Sequence, residues 1–199
     1  MKKYSALIYV LFLTLCSCQH KTVNPKLSSD WRPLTKKNRF SLIKKATKNI
    51  QQYNGLDLLF DMNVTFLNEK ILKDNLKIKS QYMMWDLQQA QDEESKLNIY
   101  KLNQSQFFVT LYSNNRNINQ LNLKASDWRA NIIMRDGTIH KGSIELHDNL
   151  KDHNIVFYPY VESWDKKYLV TFKVPTSDLM TKRFILDVSS PRGAARFNY

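Results

Sequence analysis

Residues Trp128–His147, WRANIIMRDGTIHKGSIELH, decide the reading of the fold. Trp128–Arg135 runs into Asp136-Gly137, a dipeptide that favours a tight hairpin because both residues tolerate positive φ. Thr138–His147 then answers as the return strand. Working outward, the same pattern recurs. Leu56–Leu67 alternates Phe60, Met62, Val64 and Phe66 against Asp61, Asn63 and Thr65, the signature of a half-buried strand. Gln106–Ser113, Asn154–Tyr160, Lys167–Pro175, Lys182–Ser189 and Ala194–Tyr199 complete a set of about eight strands. Turn signals at Asn114-Asn115, Asp148-Asn149, Pro175–Asp178 and Pro191–Gly193 separate them. Short antiparallel strands at this spacing predict a β-sandwich.

Two helices are predicted ahead of most strands. Thr35 is placed to cap one over Lys36–Tyr53, with Phe40, Ile43, Ala46, Thr47 and Ile50 on one face. Lys36, Lys37, Lys44, Lys45 and Lys48 occupy much of the remainder. Asn68 opens a second, long helix over Glu69–Leu102, a stretch without proline or glycine and rich in Lys, Gln, Glu and Leu. The expected class is therefore α+β: an antiparallel β-sandwich of about eight strands with one short amphipathic helix and one long helix, spanning residues 36–199.

Charge is distributed unevenly. The chain has a formal net charge of +12. Between Lys21 and Lys48 nine basic residues face one acid, Asp30, whereas Asn49–Tyr199 is almost neutral. Lysines near an anionic surface gain about 1 kcal/mol each, less at higher salt. Lys36, Lys37, Lys44, Lys45 and Lys48 are thus candidate contacts to anionic lipid or lipopolysaccharide, against the plainer reading of a solvated helix face. No basic–aromatic nucleic-acid motif accompanies them, so nucleic acid is not an expected partner.

The N-terminus bears on location. Lys2 and Lys3 precede a short apolar run, Tyr4–Leu15, and together they read as a secretory signal peptide, too short for a comfortable membrane span. Leu15-Cys16-Ser17-Cys18 follows. These four residues resemble the lipobox of bacterial lipoproteins. The resemblance implies cleavage after Ser17 and lipid attachment at Cys18, so residues 1–17 are the signal peptide. It also implies a bacterial envelope location, and Gln19 after the cysteine implies outer-membrane sorting. On this reading neither cysteine is left as a free thiol. Gln19–Thr35, polar and carrying Pro25 and Pro33, is the expected flexible linker, with the lipidated cysteine making up residues 18–35. Trp31 stands out in it as a residue suited to packing back on the domain.

The sequence carries no local catalytic motif. The four glycines, Gly55, Gly137, Gly142 and Gly193, form no phosphate loop or nucleophile elbow. His147-Asp148 and Asp152-His153 bracket a turn and could contribute to a zinc site, but their spacing fits no metal motif, and a solvated loop is the preferred reading. Asp57 and Asp61, at i and i+4 on a strand, lie about 13 Å apart, beyond a glycosidase pair. Val156–Trp164 (VFYPYVESW) gathers Phe157, Tyr158, Tyr160 and Trp164 around Pro159. Such a patch suits either a sugar or peptide platform or a corner of the core, and the core is preferred.

No cofactor, metal or catalytic residue is expected. The expected function is a membrane-anchored, non-enzymatic binding or assembly module for an envelope protein or glycan. Two alternatives stay open. One is an envelope hydrolase or metal-dependent enzyme built from scattered residues around His140, His147 and Asp148; the other is a surface-exposed factor contacting host or prey cells.

Overall fold

A computed structural model describes residues 31–115, 118, 120–121, 128–147 and 157–199. Residues 1–30, which include the expected signal peptide, Cys18 and most of the expected linker, lie outside the described residues. Among those described, eight strands and four helices follow in the order α1 (Lys36–Ala46), β1 (Thr47–Asn54), β2 (Asp57–Phe66), α2 (Glu69–Tyr82), α3 (Leu87–Asn103), β3 (Ser105–Tyr112), β4 (Arg129–Met134), β5 (Ile139–Leu146), β6 (Lys166–Phe172), α4 (Thr176–Thr181), β7 (Phe184–Ser190) and β8 (Gly193–Asn198).

The class is α+β, but the strands form a barrel-like sheet rather than a clear two-layer sandwich. One eight-stranded sheet runs β1-β2-β3-β6-β5-β4-β7-β8, antiparallel at each pairing. β5 makes the turn continuous, pairing β4 through Ile139–Lys141 and β6 through Gly142–Leu146. The outermost strands, β1 and β8, meet through side chains. Lys48 Nζ donates to the Asn198 carbonyl, and the Ala194 amide donates to Gln52 Oε1 (3.2 Å). Lys48 Nζ also lies 4.7 Å from the centroid of the Tyr199 ring. Closure of this kind removes most of the exposed edge that an open sheet would present.

The alternation in each strand fills the interior. Phe60, Met62 and Val64 of β2 meet Phe107, Val109 and Leu111 of β3, Val170 of β6, Ile132 of β4 and Leu186 of β7, all fully buried. At one end Trp128 stacks edge-on to Phe60 (5.8 Å) and donates its indole N–H to the Ile118 carbonyl (3.2 Å). Elsewhere in the core Phe184 and Tyr199 stack in parallel at 4.9 Å, and the Tyr199 hydroxyl donates to the Val64 carbonyl.

β3 is buried on both faces, because α1 and α2 cover the outside of the sheet beside it. Ile43 and Ala46 of α1, Leu67, Ile71 of α2 and Phe108 of β3 form this outer cluster. Thr35 Oγ1 and Asn68 Oδ1 accept the Asn38 and Ile71 amides and so cap α1 and α2.

Three sequence expectations need correction. The first helix ends at Ala46, and Thr47–Asn54 is strand β1, paired with β2 from Thr47↔Thr65 to Asn54↔Asp57. Lys48 is consequently a strand residue. The long helix is two helices, broken at Met83–Asp86. There Met84 takes φ +50° and Asp86 starts α3 with a capping box to Gln89. Finally, Phe157–Tyr160 is turn rather than strand; residues 154–156 lie outside the described residues. The Asp136-Gly137 hairpin forms, with Gly137 at φ +86° and the Met134 amide bonded to the Thr138 carbonyl.

Candidate functional site

Most distinctive side chains of this protein gather where α1, α2 and the 157–161 turn cover the sheet. The turn is fixed by the Val161 amide, which donates to the Tyr158 carbonyl (3.2 Å). It presents Tyr158 inward, stacked on Phe108 at 4.0 Å with the rings 10° from parallel. Asn75 Nδ2 donates to the Tyr158 hydroxyl (3.3 Å), and the Tyr160 hydroxyl shares a hydrogen bond with Thr65 Oγ1 (2.5 Å). Burial pushes the Tyr158 phenol up to about 12 and raises that of Tyr160 as well, so both stay neutral at ordinary pH. Phe157 lies under the Arg39 guanidinium, 5.7 Å from its centre. Trp164 does not join them. It is 61% exposed, with its nearest ring neighbour Tyr112 at 6.4 Å. Three members of the aromatic patch thus converge, and the hydroxyls of Tyr158 and Tyr160 are committed to internal partners.

Beside this turn lies a buried ion pair. Arg39 Nε donates to Asp74 Oδ2 at 2.7 Å, Arg39 Nη2 donates to the same oxygen, and the Leu34 amide donates to Asp74 Oδ1 at 2.6 Å. The two side chains are 4% and 5% exposed. Asp74 therefore ties the entry segment, α1 and α2 together, and Trp31, in the same entry segment, is buried. An apolar cleft of about 520 Å³ opens here, walled by Pro33, Leu34, Phe40, Ile78 and Pro159 with Lys36 at its side. Arg39 falls four residues before Ile43 and seven before Ala46, on the buried stripe of α1. That spacing is visible in the sequence; its partner, 35 residues away, is not.

The five lysines proposed as surface contacts do not act alike. Lys36, Lys37, Lys44 and Lys45 are exposed on α1, whereas Lys48 is half-buried in β1 and holds the barrel closure. α1 and α2 run antiparallel: Ile43 packs with Ile71, Arg39 bonds Asp74, and Leu34 and Lys36 share the cleft with Ile78. Lys36 and Lys37 therefore sit at the α2 C-terminal end, and Lys44 and Lys45 at the other.

The residues considered for catalysis are spread apart. His140 and His147 are seven residues apart along β5 and its end, about 23 Å by strand rise. His140 lines a polar groove of about 630 Å³ with Tyr100, Gln106, Glu145, Thr171 and Lys173. His147 instead lies edge-on to Phe108 at 5.9 Å, and burial pushes its pKa down. Asp148, Asp152 and His153 are outside the described residues. Asp61 accepts hydrogen bonds from Asn49 (2.5 Å) and Gln51 (2.7 Å), a structural role on the sheet surface. Among the described residues no group of three or more His, Cys, Asp or Glu is placed to hold a metal ion, and no helix is long and apolar enough to cross a membrane. Comparison with known proteins finds no matching family model, no matching curated protein and no matching solved structure.

Proposed function

We propose that this chain is a lipid-anchored protein of the bacterial cell envelope whose folded part is a non-enzymatic module binding an envelope protein or glycan. The observation that carries the reading is Leu15-Cys16-Ser17-Cys18 directly after the apolar run Tyr4–Leu15. In this reading Cys18 bears the acyl chains and the mature protein begins there. The barrel-like sheet is packed internally with aromatic and aliphatic side chains, so in this reading a partner engages an outer surface or cleft rather than the barrel interior. Outer-membrane placement follows from Gln19 and belongs to the same proposal.

The test is incorporation of labelled palmitate in a bacterial host, with membrane fractionation. The parent protein takes up label and pellets with membranes through a salt wash. Cys18→Ala takes up none and appears in the soluble fraction, since stable anchoring needs more than one acyl chain. Retention of Cys18→Ala on washed membranes would overturn the anchor reading. Crosslinking in intact envelopes, with the parent and Cys18→Ala compared, then tests the binding role; a partner recovered equally from both is not an envelope-dependent one.

A further inference from the structure

We infer that the tip of the α2–α3 hairpin, Tyr82–Leu87, is a membrane-contact element that dips into the interfacial layer of the bilayer carrying the anchor. The inference rests on the lipid anchor proposed above and adds how the domain is oriented on its membrane. The tip is unusual for a helical turn. Tyr82, Met83 and Leu87 are exposed, and Met84 is 81% exposed. Four large, mostly apolar side chains are exposed within six residues, a concentration of the kind that marks an interaction site.

The tip is also held in shape. The Met83 amide donates to the Lys79 carbonyl (2.9 Å) and the Trp85 amide to the Ser80 carbonyl (3.0 Å). Asp86 and Gln89 exchange capping hydrogen bonds at the start of α3. At its base Lys101 pairs with Glu69 (3.0 Å), joining the end of α3 to the start of α2. Met84 adopts φ +50°, a left-handed conformation uncommon for a non-glycine residue. Strain of that sort concentrates at functional turns.

The occupant is argued from where the tether enters. Because α1 and α2 are antiparallel, Leu34 and Lys36 share a cleft with Ile78, one turn before the α2 C-terminal end that carries the tip. The twelve residues between Cys18 and Trp31 reach about 40 Å at most, and less when coiled. With the anchor at Cys18, the tether enters the domain at the end of α1 nearest the apolar tip, which favours that end facing the bilayer. The chemistry fits that layer. Trp85 and Tyr82 have the amphipathic rings enriched at membrane interfaces, and Lys79 Nζ lies 5.3 Å over the Trp85 ring, placing a cation where headgroup phosphates would be. Lys36 and Lys37 add positive charge at the same end. Asp86 within the tip is engaged in capping α3, and the next acids, Asp92, Glu93 and Glu94, begin about 12 Å behind Met84 along α3, which limits contact to the tip. Contact in this arrangement is end-on, through the tip with Lys36 and Lys37, and Lys44 and Lys45 are held away.

The test uses mature lipidated protein in phosphatidylethanolamine–phosphatidylglycerol vesicles containing a nitroxide-labelled lipid. Met84→Cys and Lys45→Cys are each labelled with a small environment-sensitive fluorophore. The label on Met84→Cys should lose roughly half or more of its emission, as expected at interfacial depth, while that on Lys45→Cys is nearly unquenched. Equal quenching at both positions, or quenching at Lys45→Cys alone, overturns the inference while leaving the anchor intact. The parent chain must take no label. If it does, Cys18 carries a free thiol, and the anchor and the inference fall together.

Discussion

Removing Asp74 tests the packing account at its most demanding point. The Arg39 guanidinium is 4% exposed, and two of its nitrogens donate to Asp74 Oδ2. Asp74→Ala leaves that cation buried without its counter-charge and strips the Leu34 amide of its acceptor. Breaking one partner of a buried pair costs about 3–5 kcal/mol, because the remaining charge is uncompensated. For a chain of this size each kcal/mol lowers the midpoint by roughly 2–4 °C, so a fall of about 6–20 °C is expected in a circular-dichroism melt. Asp178→Ala is the internal control. Its partner Lys182 lies at 3.1 Å but both groups are well exposed, and the loss should stay under about 1 kcal/mol. Arg39→Met combined with Asp74→Leu should recover most of the loss, since an apolar pair of similar volume avoids the desolvation cost. A melt in which Asp74→Ala falls no further than Asp178→Ala would refute the reasoning, as would a double variant less stable than Asp74→Ala.

Three further outcomes follow from the same structure. A Cβ on Gly142 would meet Phe172 Cε1 at 2.7 Å within the core, so Gly142→Ala should cost about 1–3 kcal/mol by urea unfolding; a neutral result contradicts the described register of β5 on β6. Burial raises the folded Tyr158 phenol to about 12, against about 10 unfolded. The native state therefore holds a proton that the unfolded chain loses, so this group's stabilisation is present below about pH 10 and is lost as pH rises towards 12. Tyr158→Phe should flatten that alkaline decline in stability, and an unchanged slope counts against the buried position. His147 has the opposite dependence: its lowered pKa makes its contribution present above about pH 6.5 and lost on acidification, so His147→Phe should reduce the acid sensitivity of the melt.

Much of the sheet was legible because alternation and turn chemistry are local. Phe60, Met62 and Val64 face the core as their period requires, and Asp136-Gly137 makes the turn that its dihedral tolerance favours. β1 was misread for a physical reason. In TKNIQQYN only Thr47, Ile50 and Tyr53 favour a strand, and Thr47 and Ile50 also continue the helical stripe of α1; its state is set by pairing with β2, a tertiary effect that overrides weak propensity. The break in the long helix left a fainter signal. No glycine or proline marks it, yet Asp86 followed by Gln89 has the spacing of a capping box. The short helix α4 was read as a turn, being barely longer than one. Barrel-like closure depends on Lys48 reaching Asn198, 150 positions away, which no local pattern encodes.

The candidate surfaces were legible in part. The aromatic run 157–164 was noticed, and three of its four rings do converge, but on Phe108, Thr65 and Arg39 rather than on a free platform. Arg39 was counted with the basic segment although its helical position marks it as buried. The hairpin tip falls inside Glu69–Leu102, a stretch whose composition predicts one continuous helix, so the exposure of Met83 and Met84 has no local signal.

Intact-mass and N-terminal peptide analysis of protein purified from native membranes tests the central claim most directly. The account predicts a chain beginning at residue 18 with the mass of a diacylglyceryl, acylated cysteine; a chain beginning at Met1, or an unmodified Cys18, would contradict it.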